Sequence, residues 1–204
     1  METAPLAAHG VRLEPLTLAH ADGLAAASAD GDIGRLSFTS APDATPAAAS
    51  AYVQAALAGL ADGSMLPFAV IADGRIVGST RYYDINPTVP NLAIGYTWYA
   101  ASVQRSHVNT TCKRLLLGHA FERLGMCAVY FHTSHLNLRS QAAIERLGAQ
   151  RDGILRAHMR HKDGSLRDTF CYSVLASEWP AIRTRLDARL AQGAPQGRPG
   201  PAMA

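Results

Sequence analysis

The order of strand and helix patterns restricts the fold of this chain more than any other feature of the sequence. A short strand and two helices come first, three strands follow, and the chain then alternates helix, strand, helix, two strands and a final helix. Two Asp-Gly pairs, Asp73-Gly74 and Asp163-Gly164, each separate two strand patterns and are typical of two-residue hairpin turns. Because strands alternate with helices, the sequence predicts a mixed α/β sheet.

The predicted elements occupy most of the chain. One helix begins at Pro46, because Thr45 is a favourable cap and proline suits the first helical position. Residues 191–204 are rich in Gly, Pro, Ala and Gln, so we expect one domain over residues 1–190 and a disordered tail after it. The strands are predicted at 11–15, 67–72, 75–83, 91–99, 128–133, 150–160 and 167–175, and the helices at 18–29, 46–61, 109–124, 137–147 and 177–190.

The composition excludes several classes of function. Nineteen Lys and Arg face sixteen Asp and Glu, which gives a formal net charge of +3 without any basic run. A nucleic-acid-binding protein normally has a clustered basic face, so no nucleic-acid partner is expected. The sequence has no apolar run of about 18 residues and no signal peptide, so we expect no membrane span and a cytoplasmic location. Cys112, Cys127 and Cys171 are widely spaced and are expected to be reduced, buried thiols.

The junction at residues 104–113 contains a polar loop after a predicted strand and the start of the amphipathic helix that follows. The first turn of a helix carries unpaired N–H groups and about half a positive charge, so such a junction suits a phosphate or pyrophosphate. Arg105, His107 and Lys113 would add positive charge or hydrogen bonds. The alternative is a capped, solvated helix start, which has the same sequence pattern.

A second polar pair, Asn137 and Ser140, lies at the start of a later helix. Residues three apart on a helix share a face, so both side chains can point into one crevice. Asn and Ser are also favoured at helix N-termini, so simple capping remains an alternative.

Taken together, the two segments resemble the GNAT superfamily, and specifically its RimJ/RimL-type N-acetyltransferases, the group that acetylates ribosomal-protein alanine. The resemblance covers about residues 9–189. The Asn-x-x-Ser helix followed by ERLG at 145–148 is its most specific part. The other matching segments are Ile94-Gly95-Tyr96, VNTTCKRLLLGHAFE at 108–122, NLRSQAAIERLGA at 137–149 and DGSLRDTFCYSVLASEW at 163–179.

The resemblance implies an α/β (α+β) GNAT fold, with a mixed, mostly antiparallel central sheet of about seven strands, splayed in the middle, and helices on both faces. It implies an acyl-CoA-dependent N-acyltransferase that moves acetyl from acetyl-CoA to a primary amine by direct attack. The pantetheine arm would lie between the strands near 91–99 and 128–133, as an added strand would. The acceptor would be a protein N-terminus or a small-molecule amine, and the family suggests a homodimer.

The resemblance also assigns roles to individual residues. Asn137 would hydrogen-bond the pantetheine, and Ser140 would lie near the sulfur and protonate the departing thiolate. A backbone N–H of the central strand would polarise the thioester carbonyl. The residues expected to bind coenzyme A are Gln104, Arg105, Ser106, His107, Val108, Asn109, Thr110, Lys113, Asn137 and Ser140.

Two parts of the sequence depart from the family pattern. His107 and Asn109 occupy places in the phosphate loop where relatives have glycine or another small residue, and Ala93 stands where many relatives carry a glutamate base. We therefore consider His132 and His135 as the catalytic base, because imidazole titrates near neutral pH; the alternative is that both are surface or packing residues. The histidine pairs at 132/135 and 158/161 fall on predicted strand and loop rather than on a helix face and have no matching carboxylate, so no metal is expected.

Ala93 also leaves two functions other than catalysis open. The chain would then be a non-catalytic acyl-CoA-binding sensor, or a scaffold that retains only the fold. Acetyl-CoA binding followed by thiol release would separate the enzyme from both.

Overall fold

The computed structural model describes residues 4–193, which form a single eight-stranded sheet with helices on both faces. The strands are β1 (Leu6–Ala8), β2 (Val11–Pro15), β3 (Met65–Ala72), β4 (Arg75–Asn86), β5 (Asn91–Tyr99), β6 (Ala128–Ser134), β7 (Gln150–Arg160) and β8 (Leu166–Leu175). Their spatial order is β1-β2-β3-β4-β5-β6-β8-β7, and all neighbours are antiparallel except β5 and β6. The predicted mixed, mostly antiparallel sheet is confirmed, with eight strands in place of about seven.

The strand that the sequence did not reveal is β1. It has only three residues, Leu-Ala-Ala, and alanine is a weak strand former. His9 and Gly10 connect it to β2, both with positive φ, as a tight hairpin turn of the primed type requires. A strand this short has no alternating pattern, which is why the sequence did not predict it.

The helices are close to their predicted positions. Thr45 Oγ1 accepts a hydrogen bond from the Ala48 N–H at 3.2 Å, and this cap starts the second helix where expected. The predicted helix at 109–124 is α-helical only to Gly118 and continues as a π-helical turn at His119–Arg123. The α-helices are α1 (Ala21–Ala29), α2 (Pro46–Ala61), α3 (Val108–Gly118), α4 (Leu138–Leu147) and α5 (Trp179–Gly193).

The end of α5 bears on the predicted tail. The helix continues to Gly193, so residues 191–193 of the expected tail are helical. The rest of that segment, 194–204, lies outside the described residues. The domain boundary at 190 therefore stays a prediction.

Two groups of buried side chains cover the two faces of the sheet. Helices α1 and α2 pack on one face, against β-strand residues that include Ala69 and Trp98. Helices α3, α4 and α5 pack on the other face, against Phe68, Tyr82 and Phe131 among others. Because successive strand residues point to opposite faces, Phe68 and its neighbour Ala69 belong to different groups.

Leu186→Ala tests the packing of α5. Leu186 is buried, so its truncation should lower the free energy of unfolding by about 2–5 kcal/mol, through lost burial and the cavity left behind. The same change at the exposed Leu36 should cost less than about 0.5 kcal/mol. Urea unfolding of both variants measures the difference, and equal losses would contradict the packing of α5.

Candidate active site

A gap between β5 and β6 opens in the middle of the sheet. The two strands are parallel and pair at only three positions, the last of which joins Ala93 to Tyr130. Beyond these residues β5 pairs with β4 alone and β6 pairs with β8 alone. Unpaired peptide groups of the two strands therefore line the gap, and an extended ligand can lie there as a strand would. This is the splay that the family resemblance implied.

The β5 wall of the gap contains a β-bulge at Tyr96. Tyr96 and Thr97 together lie opposite a single residue of β4, Thr80. Tyr96 has a φ of 50°, a left-handed conformation that is uncommon for residues other than glycine. A bulge turns peptide groups out of the ladder. The family resemblance implied that a backbone N–H of this strand polarises the thioester carbonyl, and the structure does not test that role.

A buried lysine reaches the gap from α3. Lys113 Nζ donates a hydrogen bond to Thr97 Oγ1 at 3.1 Å and lies 5.6 Å from the centre of the Phe131 ring. Thr97 belongs to β5 and Phe131 to β6, so the ammonium group contacts both strands where they have separated. Lys113 is 6% exposed, and burial lowers its pKa from 10.5 to about 8. The sequence placed this charge beside the phosphate loop, whereas the structure places it under the gap.

Hydrogen bonds of Gln104 and Ser106 fix the shape of the loop before α3. Ser106 Oγ donates to the Val103 carbonyl at 2.6 Å and accepts from the Val108 N–H at 3.2 Å. Gln104 Nε2 donates to the Tyr99 carbonyl at 3.1 Å, which ties the loop to the end of β5. The next N–H groups, of Asn109 and Thr110 in the first helical turn, have no helical partner. They leave a positive end of α3 beside the gap.

Of the two loop residues that depart from the family pattern, Asn109 lies partly buried in the first turn of α3, and His107 precedes that turn. His107 Nε2 donates to the His9 carbonyl at 3.1 Å, so its ring is bound to the turn between β1 and β2 rather than to the start of α3. Arg105 is exposed and has a φ of 61°. A positive φ therefore occurs close to the place where the family usually has glycine.

Asn137 and Ser140 lie together at the start of α4. Asn137 Oδ1 accepts a hydrogen bond from the Ser140 N–H at 3.0 Å, so the amide caps the helix. Capping uses the oxygen of the amide and leaves its NH₂ available to a ligand. Both residues are partly exposed. The structure therefore contains the capping interaction that was the alternative, and this interaction is compatible with the predicted role.

His132 lies on β6 and is hydrogen-bonded to a tyrosine of β4. The distance between His132 Nδ1 and Tyr83 Oη is 2.8 Å. Burial lowers the pKa of His132 below its ordinary value of 6.5, although Asp84 and Asp152 act in the opposite direction. Burial also raises the pKa of the Tyr83 hydroxyl well above 10, which keeps it neutral. The pair therefore presents a neutral imidazole held in place by a phenol.

His132 borders an open groove of about 710 Å³ on the face of the sheet opposite α3. Ala93, at the last pair of β5 and β6, contributes a methyl group where relatives have a carboxylate. The acidic side chains of the groove come from other strands and from the start of α5. The groove is lined by Asp84, Asn91, Ala93, Tyr130, His132, Gln150, Asp152, Cys171, Ser173, Leu175 and Glu178.

The second histidine candidate, His135, has different contacts. Its Nδ1 accepts a hydrogen bond from the Asp168 N–H at 3.2 Å, and its ring lies 5.6 Å from the ring of His161. His161 is buried and bonded to Ser134 Oγ at 2.8 Å. These contacts are compatible with the packing role that was the alternative for His135. Within residues 4–193, no three metal-ligating side chains converge.

The thiols differ from expectation in one respect. Cys112 is buried, and burial raises its pKa to about 11, but Cys127 is exposed and Cys171 is partly exposed. All three are free. The sequence did not predict the hydrogen bond between Tyr83 and His132, because it joins residues 49 apart in the chain.

None of the helices in the described part of the chain is long and apolar enough to cross a membrane.

The sequence profile of the acetyltransferase (GNAT) domain matches residues 11–150. A search of curated proteins found no match.

Solved structures share the fold over almost the whole chain. A T. thermophilus protein, itself only inferred to be an acetyltransferase, is 35% identical, with a TM-score of 0.82 over 93% of this chain and 98% of its own. A GCN5-related N-acetyltransferase from Brucella melitensis is 31% identical, with a TM-score of 0.83 over 98% of this chain and 90% of its own.

RimJ from Mycobacterium smegmatis, solved with CoA-disulfide, is 21% identical and has a TM-score of 0.77 over 91% of this chain and 93% of its own. At this identity the likeness concerns the fold alone. The sequence profile and the more similar solved structure from Brucella melitensis both indicate a GNAT acetyltransferase. The splayed strands, the bulge on β5 and the loop before α3 are features of this chain. The chain belongs to the GNAT acetyltransferase family and is an acyltransferase.

Proposed function

We propose that this enzyme transfers an acetyl group from acetyl-CoA to a primary amine by direct attack, the amine being a protein N-terminus or a small molecule. The observation that carries the proposal is the β5–β6 gap, which has the first turn of α3 beside it and the His132–Tyr83 pair near its closed end. Holding two reactants in line across such a gap is worth about 7–11 kcal/mol of the barrier.

The donor side would be built by residues around the gap. The first-turn N–H groups of α3 would bind the pyrophosphate, with Gln104 and Ser106 fixing the loop. The unpaired edges of β5 and β6 would bind the pantetheine, together with the amide NH₂ of Asn137. The Lys113 ammonium, which contacts both strands, would face the thioester arm from the α3 side.

The acceptor side would use His132 as the base. If Nδ1–H donates to Tyr83 Oη, Nε2 keeps its lone pair and can take a proton from the attacking amine. The amine nitrogen forms the new C–N bond, the C–S bond breaks, and Ser140 gives its proton to the departing thiolate and regains one from water. The bulge at Tyr96 would supply an N–H to the carbonyl oxygen in the transition state.

The proposal is tested by measuring acetyl-CoA binding calorimetrically and then thiol release with a panel of amines. An enzyme binds acetyl-CoA and releases thiol in the presence of an acceptor. A sensor, the alternative that Ala93 favours, binds acetyl-CoA without releasing thiol, and a scaffold does neither.

We propose also that the enzyme is cytoplasmic and forms a homodimer. Apolar side chains exposed on β7 and β8, such as Ile154 and Leu166, support the dimer, which sedimentation would detect.

Asn137→Ala and Ser140→Ala should lower turnover while the fold stays intact. Asn137→Ala also removes a helix cap, which costs about 1 kcal/mol of stability. Asn137→Asp is therefore the matched variant, because a carboxylate caps the helix but cannot donate to pantetheine. We expect Asn137→Asp to keep the melting temperature and to raise the KM for acetyl-CoA about tenfold. Full activity in both Asn137→Ala and Ser140→Ala would remove these residues from the site.

A further inference from the structure

Arg81 is a buried cation without a counter-ion. It lies in the middle of β4, two residues from Tyr83 and on the same face of the sheet, and it is 3% exposed. Its Nη1 donates to Met65 Sδ at 3.3 Å, and thioether sulfur is a weak acceptor. Its Nε is buried with no partner, and within residues 4–193 Arg81 makes no ion pair. Buried charges in proteins are normally paired, so this arginine lacks an anion.

The surroundings of Arg81 connect it to the proposed acceptor side. Its Cζ lies 4.9 Å from the ring centre of Tyr52 on α2 and 4.1 Å from that of Tyr96 at the bulge. The Tyr96 ring packs edge-on against Tyr83 at 5.2 Å, and Tyr83 is bonded to His132. Aromatic faces attract the cation, but they do not accept its N–H hydrogen bonds as an anion would.

A second arginine, Arg167 on β8, repeats the pattern. Its Nε is also buried without a partner, and it too makes no ion pair among the described residues. Burial lowers its pKa, while the nearby Tyr83 and Tyr96 hydroxyls act against that change. Arg81 and Arg167 thus lie on strands on opposite sides of the gap, Arg81 on β4 beside β5 and Arg167 on β8 beside β6, and Arg81 contacts the Tyr96 ring directly.

We propose that Arg81 and Arg167 bind a carboxylate of the acceptor, so that the acceptor is an amine with a carboxylate close to it, as in a free α-amino acid. This inference rests on the proposed function. A guanidinium group matches a carboxylate with two parallel hydrogen bonds, and each of these arginines still has an unsatisfied donor. With the carboxylate held there, the neighbouring amine lies on the side of Tyr83 and His132.

The acidic residues of the groove do not supply the missing partner. Asp152 Oδ1 accepts from Ser173 Oγ at 2.8 Å, and Glu178 Oε2 accepts from the Leu175 N–H at 2.8 Å. Neither carboxylate is paired with Arg81 or Arg167, and Asp84, the third acid of the groove, makes no ion pair among the described residues. If these acids rather than the arginines selected the acceptor, a polyamine would be preferred. That preference is the rival outcome of the test.

The first experiment compares acceptors in matched sets: several α-amino acids, the carboxamide of each, and the decarboxylated amine of each. Thiol release is followed with acetyl-CoA at saturation. The amino acid should exceed its carboxamide in kcat/KM by about 10- to 100-fold, as expected for losing charge-assisted hydrogen bonds. The same comparison is made with short peptides that have either Asp or Asn as their second residue. A faster rate with Asp would show that a peptide side chain can supply the carboxylate. Equal rates for acid and amide, or a preference for polyamines, would overturn the inference.

The second experiment uses Arg167→Gln and Arg81→Gln, with Arg75→Gln as the control. Arg75 begins the same strand β4 but is exposed. In both site variants the preference for the acid should fall at least tenfold, while the KM for acetyl-CoA stays unchanged; the control should keep the preference. Arg167 is only half-buried, so its variant decides the matter if Arg81→Gln does not fold. A preference that survives Arg167→Gln would refute the two-arginine site.

A binding measurement separates this inference from the proposed function. Calorimetry of the preferred amino acid, titrated into enzyme saturated with free CoA, needs no turnover. Binding that is lost in Arg167→Gln supports the carboxylate site even if no thiol is released. If carboxamides and decarboxylated amines are acetylated as fast as the amino acids, the enzyme is a transferase but has no carboxylate site.

Discussion

His132→Gln should lower kcat for acetyl transfer by a factor of about 10² to 10⁴, the usual contribution of a general base. Glutamine keeps a similar size and can still bond to Tyr83, so the fold should be unaffected. His132 is neutral only above its pKa, and burial holds that pKa below 6.5. The wild-type rate should therefore fall as the pH drops through a midpoint below 6.5, and the variant should lack this fall.

The measurement is thiol release at saturating substrates across the acid range, because kcat then reports groups in the bound complex. A weakly basic amine is the better acceptor, since its own protonation would otherwise hide the titration of His132. His135→Gln is the matched control, because His135 bonds only to the backbone of Asp168 and should change kcat by no more than a few-fold. If His135→Gln lowered kcat strongly and His132→Gln did not, His135 would be the base and His132 a packing residue.

Lys113→Met should lower kcat by about 10²-fold, the cost commonly seen when one preorganised charge or donor is lost near a developing anion. Its ammonium contacts β5 through Thr97 and β6 through Phe131, so it lies beside the proposed path of the thioester arm. Methionine has a similar length and fills the same space without charge. Arg75→Gln, which removes an exposed cation, should leave kcat unchanged.

The same variant should change how stability depends on pH. The folded pKa of Lys113 is about 8 and its ordinary value is 10.5, so between these values the unfolded chain binds more protons than the folded chain. The free energy of unfolding should then rise with pH from about 8 to about 10.5, by on the order of 3 kcal/mol. Lys113→Met should lose this rise and be as stable as the wild type, or more so, at neutral pH.

Urea unfolding at several pH values, for the wild type and for Lys113→Met, measures this dependence directly. The slope with pH should differ between the two proteins only above about pH 8. If both proteins show the same slope, Lys113 is not the group that titrates there, and its burial under the gap would be wrong.

Local sequence patterns predicted the elements whose signals are contained within a few residues. Strand β5 and helix α2 begin and end where expected, because Thr45-Pro46 and the run of aromatic and β-branched residues at 91–99 act locally. The splay could not be deduced from spacing. It concerns how β5 meets β6, whose paired residues lie 37 apart in the chain, and only the family resemblance indicated it.

The features of the proposed site that the sequence did not reveal depend on tertiary contacts. The bulge at Tyr96 results from the register between β4 and β5, and a tyrosine gives no sign of a positive φ. Lys113 was assigned to the phosphate loop because it is close in sequence, but its long side chain reaches Thr97 instead. Arg81 looked like an ordinary strand residue, since nothing in the sequence shows that a charge at that position lacks a counter-ion.

The short ladder between β5 and β6 has a mechanical consequence. The sheet consists of two halves, β1–β5 and β6–β8, whose strands are joined along a seam of only three residue pairs. Other contacts between the halves include side-chain packing beneath α3 and the hydrogen bond between Tyr83 and His132. A cosubstrate that fills the opening would contact both halves at once, so part of its binding energy would appear as resistance to their separation. Substrate saturation would then protect the whole enzyme against unfolding, as well as its active site.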